Sequence, residues 1–364
     1  MTSPEAWLRR QAAVSPQDTA LVTEDRSYRF ACLDQQIDRL AQALRDLLPG
    51  QVLGCVSTRT ESLALLALAA PRAGLAFLPI NPKLTVSQIE ALCAKAGVSV
   101  VLGDDPARQA TAQRRLAWDQ ISNFAGAAPA RRGDSNAVHL IIATSGSTGT
   151  PKGVMLTGAN LAAAVRASRQ RLPIDPGDVW LGCLPTYHIG GLQVLFRCLE
   201  AGATTLLHPR FDVEAVAADL AAGRATHVSL VPAMLAQLLD AGCRPSPKLR
   251  CALIGGAGLP AALAARATAA GWPISPSYGM SEAGSQVATC ARLDDWRPGM
   301  AGEPLPGLEV GTTSDGRIRV RGPAVMAGYV NPTLSLGDGL DGEGWFETSD
   351  LGGLNETGRL QVLG

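Results

Sequence analysis

Aromatic side chains make up only 4% of the 364 residues, too few for the base-stacking platforms of single-strand nucleic-acid binders. Charge of either sign is also missing as an excess. Lys+Arg and Asp+Glu stand at 32 each, so nothing draws the chain to nucleic acid or to an anionic membrane surface. The eight cysteines (Cys32, Cys55, Cys93, Cys183, Cys198, Cys243, Cys251, Cys290) include no C-x-x-C pair. Most sit in apolar runs, as small buried hydrophobes of a reducing compartment do, and neither disulfide nor metal is expected of them. Long hydrophobic runs are lacking too: Leu63–Ile80 is broken by Pro71 and Arg72, which excludes it as a membrane span. The first residues, Met1 to Arg10, carry an acid and no continuous apolar core, so they are no signal peptide and a cytoplasmic protein is expected. What is plentiful is apolar: 46% hydrophobic against 18% charged, enough for a large core in a chain two or three domains long by the prior of about 100–200 residues each.

The densest chemistry lies in Thr144–Gly153, directly after the apolar run Val138–Ile142. Thr144, Ser145, Ser147 and Thr148 supply hydroxyls, Gly146, Gly149 and Gly153 free the backbone, and Lys152 adds one mobile cation. Backbone N–H groups turned inward, neutral donors and a lysine together cradle a polyphosphate. The stretch is not a Walker A loop, because Pro151 stands where the second glycine belongs and Gly153 follows the lysine in place of Ser or Thr. The bland alternative is an exposed Gly/Ser/Thr turn.

Around it, short apolar runs alternate with helix-period segments from about residue 30 to 290. Leu33, Ile37, Leu40, Leu44 and Leu48 share one helical face, and Val52–Val56 reads as a strand. Thr85 with Gln88 is a capping-box signature for a helix through Ala94, before a strand at Val98–Leu102. After the glycine-rich loop come a helix from Asn160, a strand at Val179–Cys183 and a helix across Leu192–Leu199. Strands at Thr204–Leu207, His227–Val231 and Cys251–Ile254 then alternate with helices from Val213 and through Leu239. This alternation implies βαβ units and mostly parallel sheets. The expectation is an α/β protein of two such subdomains, about 1–136 and 137–297, joined by a polar surface stretch at Gly103–Asn136. Past Pro298 glycine and proline become dense, and short alternating strands at Arg317–Arg321 and Leu360–Leu363 suggest a small β-rich subdomain over 298–364.

Three further stretches carry chemistry. Pro185–Leu192 follows a strand and holds His188, with Gly190 and Gly191 permitting close ligand approach. Ser275–Glu282 places Tyr278, Ser281 and Glu282 in one tight loop, and Gly344–Gly352 places Asp350 in a glycine-flanked turn. Each has a plain reading alone: a hydrogen-bonded loop histidine, a solvated turn acid, a turn residue before glycine.

In this order the motifs resemble the adenylate-forming superfamily of acyl-CoA synthetases, luciferases and peptide-synthetase adenylation domains. The likeness runs from about residue 5 to 364. It rests on the phosphate loop, on Tyr278-Gly-Met-Ser-Glu282 and on Thr348-Ser-Asp-Leu-Gly352. Met280 stands where the peptide-synthetase domains usually carry proline, which favours the CoA ligases. Leu184–Leu192, His208–Asp212 and Ser277–Gln286 resemble the branch that ligates 2-succinylbenzoate in menaquinone biosynthesis.

The resemblance implies ATP and a small carboxylic acid as substrates, Mg²⁺ as the ion, CoA as co-substrate, no nucleic-acid or membrane partner, and room for a homodimer. It implies that Thr144, Ser145, Gly146, Ser147, Thr148, Gly149 and Lys152 surround the β- and γ-phosphates. Glu282 would hold Mg²⁺, Ser281 would reach the α-phosphate, and Gly279 belongs to the same loop. Tyr278 would stack on adenine against Gly255, Gly256 and Ala257, and Asp350 would accept both ribose hydroxyls. His188 would orient the reacting carboxylate, making Lys152, His188 and Glu282 the catalytic set. His188, Gly191, Leu192, Gly256, Ala257, Ser277 and Ser285 would line the acid pocket. In this family a hinge and a small domain with an adenylate-contacting lysine follow the large domain. The 364 residues are therefore expected to be the large domain alone, binding nucleotide and acid but turning over slowly.

The pocket residues are compatible with 2-succinylbenzoate but do not select it over another aryl or acyl acid, and two other classes compete. Gly256-Ala-Gly-Leu-Pro-Ala261 after a strand imitates a G-x-G-x-x-A dinucleotide fingerprint, but an NAD-dependent oxidoreductase would leave the phosphate loop unexplained. A non-catalytic nucleotide-binding protein is the other.

Overall fold

The computed structural model describes residues 3–47, 51–98, 100–103, 114–116, 118, 121, 134–144, 151–291, 293, 296–331 and 333–364. Ser145, Gly146, Ser147, Thr148 and Gly149 of the phosphate loop lie outside the described residues, as do Leu48 and most of the stretch expected to join two subdomains.

Local signals set the helices. Thr85 accepts from the Gln88 N–H while Gln88 returns a bond to Thr85, which starts the helix Val86–Lys95. Thr157 and Asn160 repeat the device for the helix Gly158–Arg171. The helix Phe30–Leu47 turns Leu33, Ile37, Leu40 and Leu44 fully inward. The helix Ile189–Ala201 is enclosed nearly all round and ends on Gly202, whose φ of 79° suits glycine.

Two sheets organise the described residues. One has seven strands in the order Gly328–Tyr329, Lys152–Thr157, Val138–Thr144, Ala76–Ile80, Val52–Val56, Val100–Gly103 and Arg114–Leu116. The other has thirteen, running from Glu309–Thr312 at one edge to the Thr19–Val22 and Ser27–Arg29 pair at the other. Its middle strands, Ile274–Met280, Cys251–Ile254, His227–Leu230, Val179–Gly182 and Thr204–Leu207, are parallel neighbours. They are short, largely apolar and buried, as a parallel sheet covered on both faces requires. From Ser285 onward every pairing is antiparallel.

The sheets do not divide at residue 136. Val138–Thr144 pairs in parallel with Ala76–Ile80, and Thr19–Val22 crosses to pair with Thr204–Leu207, helped by the Thr204 hydroxyl donating to the Thr19 carbonyl at 2.8 Å. Periodicity marks where strands are, not which distant strand each meets. The polar stretch before Asn136 also holds the strand Arg114–Leu116, parallel to Val100–Gly103. That latter strand begins after Val98, whose N–H instead closes the preceding helix on the Cys93 carbonyl at 2.9 Å. Among the described residues no helix is long and apolar enough to cross a membrane.

Candidate functional site

The C-terminal ends of the parallel strands open on one side of the large sheet, where ligands bind in folds of this kind. Gly255, Gly256 and Ala257 follow the end of Cys251–Ile254, and Tyr278 lies late in Ile274–Met280 beside it. That strand folds back through the turn Ser281–Ala283 into Ser285–Thr289. The reversal needs glycine at 279, where a Cβ would be driven into the Ser285 carbonyl oxygen. Ser285 itself holds φ at 121°, a left-handed value that few side chains adopt.

A cavity of about 460 Å³ opens here, lined by Gly256, Ala257, Ser277, Tyr278, Gly279 and Asp350, with Trp296 and Met300 also on its wall. The Tyr278 hydroxyl donates to Asp350 Oδ2 at 2.5 Å. Asp350 stands in the strand Phe346–Leu354, not in a turn, and its N–H donates to Thr348 Oγ1 at 3.1 Å. Burial first, and the carboxylate second, push the Tyr278 phenol well above its ordinary pKa of 10.0, so it remains a donor. One carboxylate oxygen of Asp350 is thereby half used, and the other remains open to hydroxyls.

The phosphate loop leaves and rejoins a strand pair closed by Thr144 opposite Lys152. Lys152 Nζ lies over the Tyr329 ring, 4.9 Å from its centroid. The Tyr329 hydroxyl donates to Glu282 Oε1 at 2.9 Å. The Glu282 carbonyl accepts from the Met326 N–H at 2.6 Å, so this acid is tied through both backbone and side chain. Among the described residues no three His, Cys, Asp or Glu side chains form a metal cluster. A lone carboxylate linked to Lys152 through Tyr329 does fit Mg²⁺, which takes one or two carboxylates and completes its shell with phosphate and water oxygens.

His188, expected beside the acid, is the N-cap of the helix Ile189–Ala201. Its ring is open to solvent on one side and meets Tyr187 edge-on at 4.7 Å on the other. The protein packed around it lowers its pKa, favouring neutral imidazole. Gly191 lets this helix press on the preceding loop: a Cβ there would collide with the Pro185 carbonyl oxygen and reach the Leu184 one at 2.8 Å. Leu192, expected to line the acid pocket, is fully enclosed in the core and offers a ligand no surface.

Behind this wall runs a polar chain that sequence reasoning missed. Arg197 is 2% exposed and lies 5.0 Å over the Trp180 ring, with burial lowering its pKa to about 10. Among the described residues no carboxylate pairs with it. It donates instead to Gln286 Oε1 at 2.7 Å, which also accepts from Ser168 Oγ at 2.6 Å. Gln286 Nε2 passes the chain to Thr289 Oγ1 at 2.7 Å, and Thr289 meets Ser277 Oγ at 2.9 Å. Ser277 donates to the Ala288 carbonyl at 3.0 Å, so its only proton is committed inward and it can offer a ligand acceptor capacity alone. The available signal was Gln193 and Arg197 standing within the apolar run of this helix, before Glu200 near its end. Tyr329 had none, because its partners are remote in sequence.

The chain is similar to known proteins over nearly its whole length. A family model described as AMP-binding enzyme matches residues 8–330. The 2-succinylbenzoate–CoA ligase of Bacillus pumilus (strain SAFR-032) is 32% identical over 98% of this chain and 77% of that protein. The same-named protein of Bacillus subtilis (strain 168) is 30% identical over 100% of this chain and 78% of its own length. Among solved structures, the o-succinylbenzoate coenzyme A synthetase (MenE) of Bacillus subtilis in complex with ATP and magnesium ion aligns at a TM-score of 0.90. It is 30% identical and covers 98% of this chain and 78% of that one. The N-terminal domain of FACL13 from Mycobacterium tuberculosis aligns at 0.89 over 100% of both chains, and at 23% identity shows the fold alone. The chain belongs to the AMP-binding enzyme family.

Proposed function

We propose that this protein is an ATP-dependent acid–CoA ligase whose acid is 2-succinylbenzoate. One observation carries the nucleotide half: the Tyr278–Asp350 bond closes a cavity at the C-terminal ends of parallel strands, with Glu282 just past the strand that carries Tyr278 and Lys152 linked to Glu282 through Tyr329. The Tyr278 ring takes adenine against Gly256 and Ala257, and the open Asp350 oxygen takes the ribose hydroxyls. Thr144, Lys152 and the loop between them take the β- and γ-phosphates. Glu282 holds Mg²⁺, which neutralises charge on the phosphate oxygens.

The chemistry follows from the leaving group. A substrate carboxylate oxygen attacks the α-phosphorus of ATP, pyrophosphate departs, and the acyl-adenylate forms. The CoA thiol then attacks the acyl carbon, loses its proton, and AMP departs. His188 beside the acid is neutral and orients the carboxylate, which is already ionised and needs no base. The second carboxylate of 2-succinylbenzoate calls for a cation at the pocket's inner end. Arg197 carries no acid of its own, and its field acts through a poorly screened interior lined by Gln286, Thr289 and Ser277. The relatives named above support that choice of acid.

The test is a thermal-shift series with non-hydrolysable adenylate mimics carrying 2-succinylbenzoyl, benzoyl or acetyl groups. The 2-succinylbenzoyl mimic is expected to stabilise most. Equal shifts from all three would remove 2-succinylbenzoate while leaving the nucleotide site standing.

A further inference from the structure

Tyr329 belongs to none of the groups that touch nucleotide or acid, yet it joins two that do. Its hydroxyl donates to Glu282 Oε1 at 2.9 Å and its ring carries Lys152 Nζ at 4.9 Å. The ring is held from several directions. Its strand pairs with Lys152–Thr157, with Tyr329 opposite Val154. The Tyr329 N–H donates to the Asp338 carbonyl at 2.8 Å, and Phe346 meets the ring edge-on at 6.4 Å. Gly339 packs so closely on the ring that a Cβ would lie 2.5 Å from Tyr329 Cδ2. A tyrosine fixed this firmly fixes what it touches.

We propose that Tyr329 is a positioning residue for the metal–triphosphate end of the site, clamping Glu282 through its hydroxyl and Lys152 through its ring. The inference rests on the ligase reading, which makes Glu282 the Mg²⁺ ligand and Lys152 the phosphate cation. Carboxylates that bind a metal work best when a second hydrogen bond fixes them, and losing such a partner commonly costs about 10–100-fold in metal affinity. The bond to Oε1 leaves Oε2 free to coordinate. The ring face meanwhile keeps the lysine beside the acid without a direct ion pair that would neutralise both.

The two arms separate by substitution. Tyr329→Phe keeps the ring and removes the hydroxyl, and Tyr329→Leu removes both. ATP binding is measured calorimetrically with excess Mg²⁺ and with a chelator, and AMP binding serves as a control on the adenosine cavity. Wild-type protein is expected to gain ATP affinity with Mg²⁺. Tyr329→Phe should lose about tenfold of that gain and leave AMP affinity unchanged. Tyr329→Leu should in addition weaken metal-free ATP, through the loosened Lys152. In a Glu282→Gln background Tyr329→Phe should have no further effect, because the bond it removes then serves no metal ligand. A Tyr329→Phe protein with the full Mg²⁺ gain overturns the inference and leaves the ligase reading intact. A folded wild-type protein with no Mg²⁺ gain at all overturns the reading, and the inference with it.

Discussion

The Tyr278 hydroxyl donates to Asp350 Oδ2 at 2.5 Å across 72 residues of sequence, joining two residues that line the same cavity. The aromatic ring and the carboxylate are therefore one unit, although three other strands of the large sheet separate theirs, and the Asp350 N–H is held in turn by Thr348.

Asp350→Ala removes the ribose acceptor and should weaken AMP by about 1.5–3 kcal/mol, the scale of hydrogen bonds to a charged group. It also leaves the partly buried Tyr278 hydroxyl without its acceptor, which adds a stability cost of about 1–3 kcal/mol. Removing that hydroxyl as well, in the double variant with Tyr278→Phe, should return most of the stability but none of the affinity. Calorimetric titration with AMP and denaturant melts read the two costs separately. If AMP binds Asp350→Ala normally, the ribose is held elsewhere.

Alkaline stability should report the same bond. The folded pKa of Tyr278 is raised above its ordinary value of 10.0, so folding binds that proton more tightly than the unfolded chain does. The contribution is complete below the unfolded pKa and is lost as pH rises above it towards the folded value. Between pH 9 and pH 11 wild-type stability should therefore fall more steeply than that of Tyr278→Phe. Parallel slopes in denaturant melts across that window would show that Tyr278 has no such link.

Gly191→Ala should be worse than an ordinary helix substitution. Alanine favours helix by about 1 kcal/mol over glycine, but here its Cβ would strike the Pro185 carbonyl oxygen and force the loop that carries His188 to move. A lower melting temperature and weaker binding of the adenylate mimic are expected together. A more stable variant with unchanged binding would mean the helix has room.

Ser285 gives the opposite sign. Its φ of 121° is a backbone state that costs about 1–3 kcal/mol for a residue with a side chain. Ser285→Gly should therefore be more stable than Ser285→Ala by about 1 kcal/mol in denaturant melts, after the extra chain entropy of glycine. Equal stability of the two would show that the hairpin is not strained there.

What was legible in the sequence was local. The capping box at Thr85 and the buried faces of Leu33, Ile37, Leu40 and Leu44 depend on neighbours within a turn or two. So does the apolar texture of the parallel strands. Tyr278, Glu282 and Asp350 were singled out because family resemblance reaches residues one by one. What was not legible depends on partners far along the chain. Thr19–Val22 seeks Thr204–Leu207, Tyr329 seeks Glu282, and Arg197 reaches Ser277 only through Gln286 and Thr289. Leu192 was misread for a related reason: motif position places a residue near the acid, while packing decides which way it faces.

The most direct measurement is calorimetric titration of the folded chain with AMP, with the non-hydrolysable 2-succinylbenzoyl-adenylate mimic, and with NAD. The mimic joins the acid and nucleotide half-sites through one tether, so it should bind about 10²–10⁴-fold more tightly than AMP, and NAD should not bind. Tight NAD binding without the mimic, or no binding of either mimic or AMP to well-folded protein, would contradict the assignment.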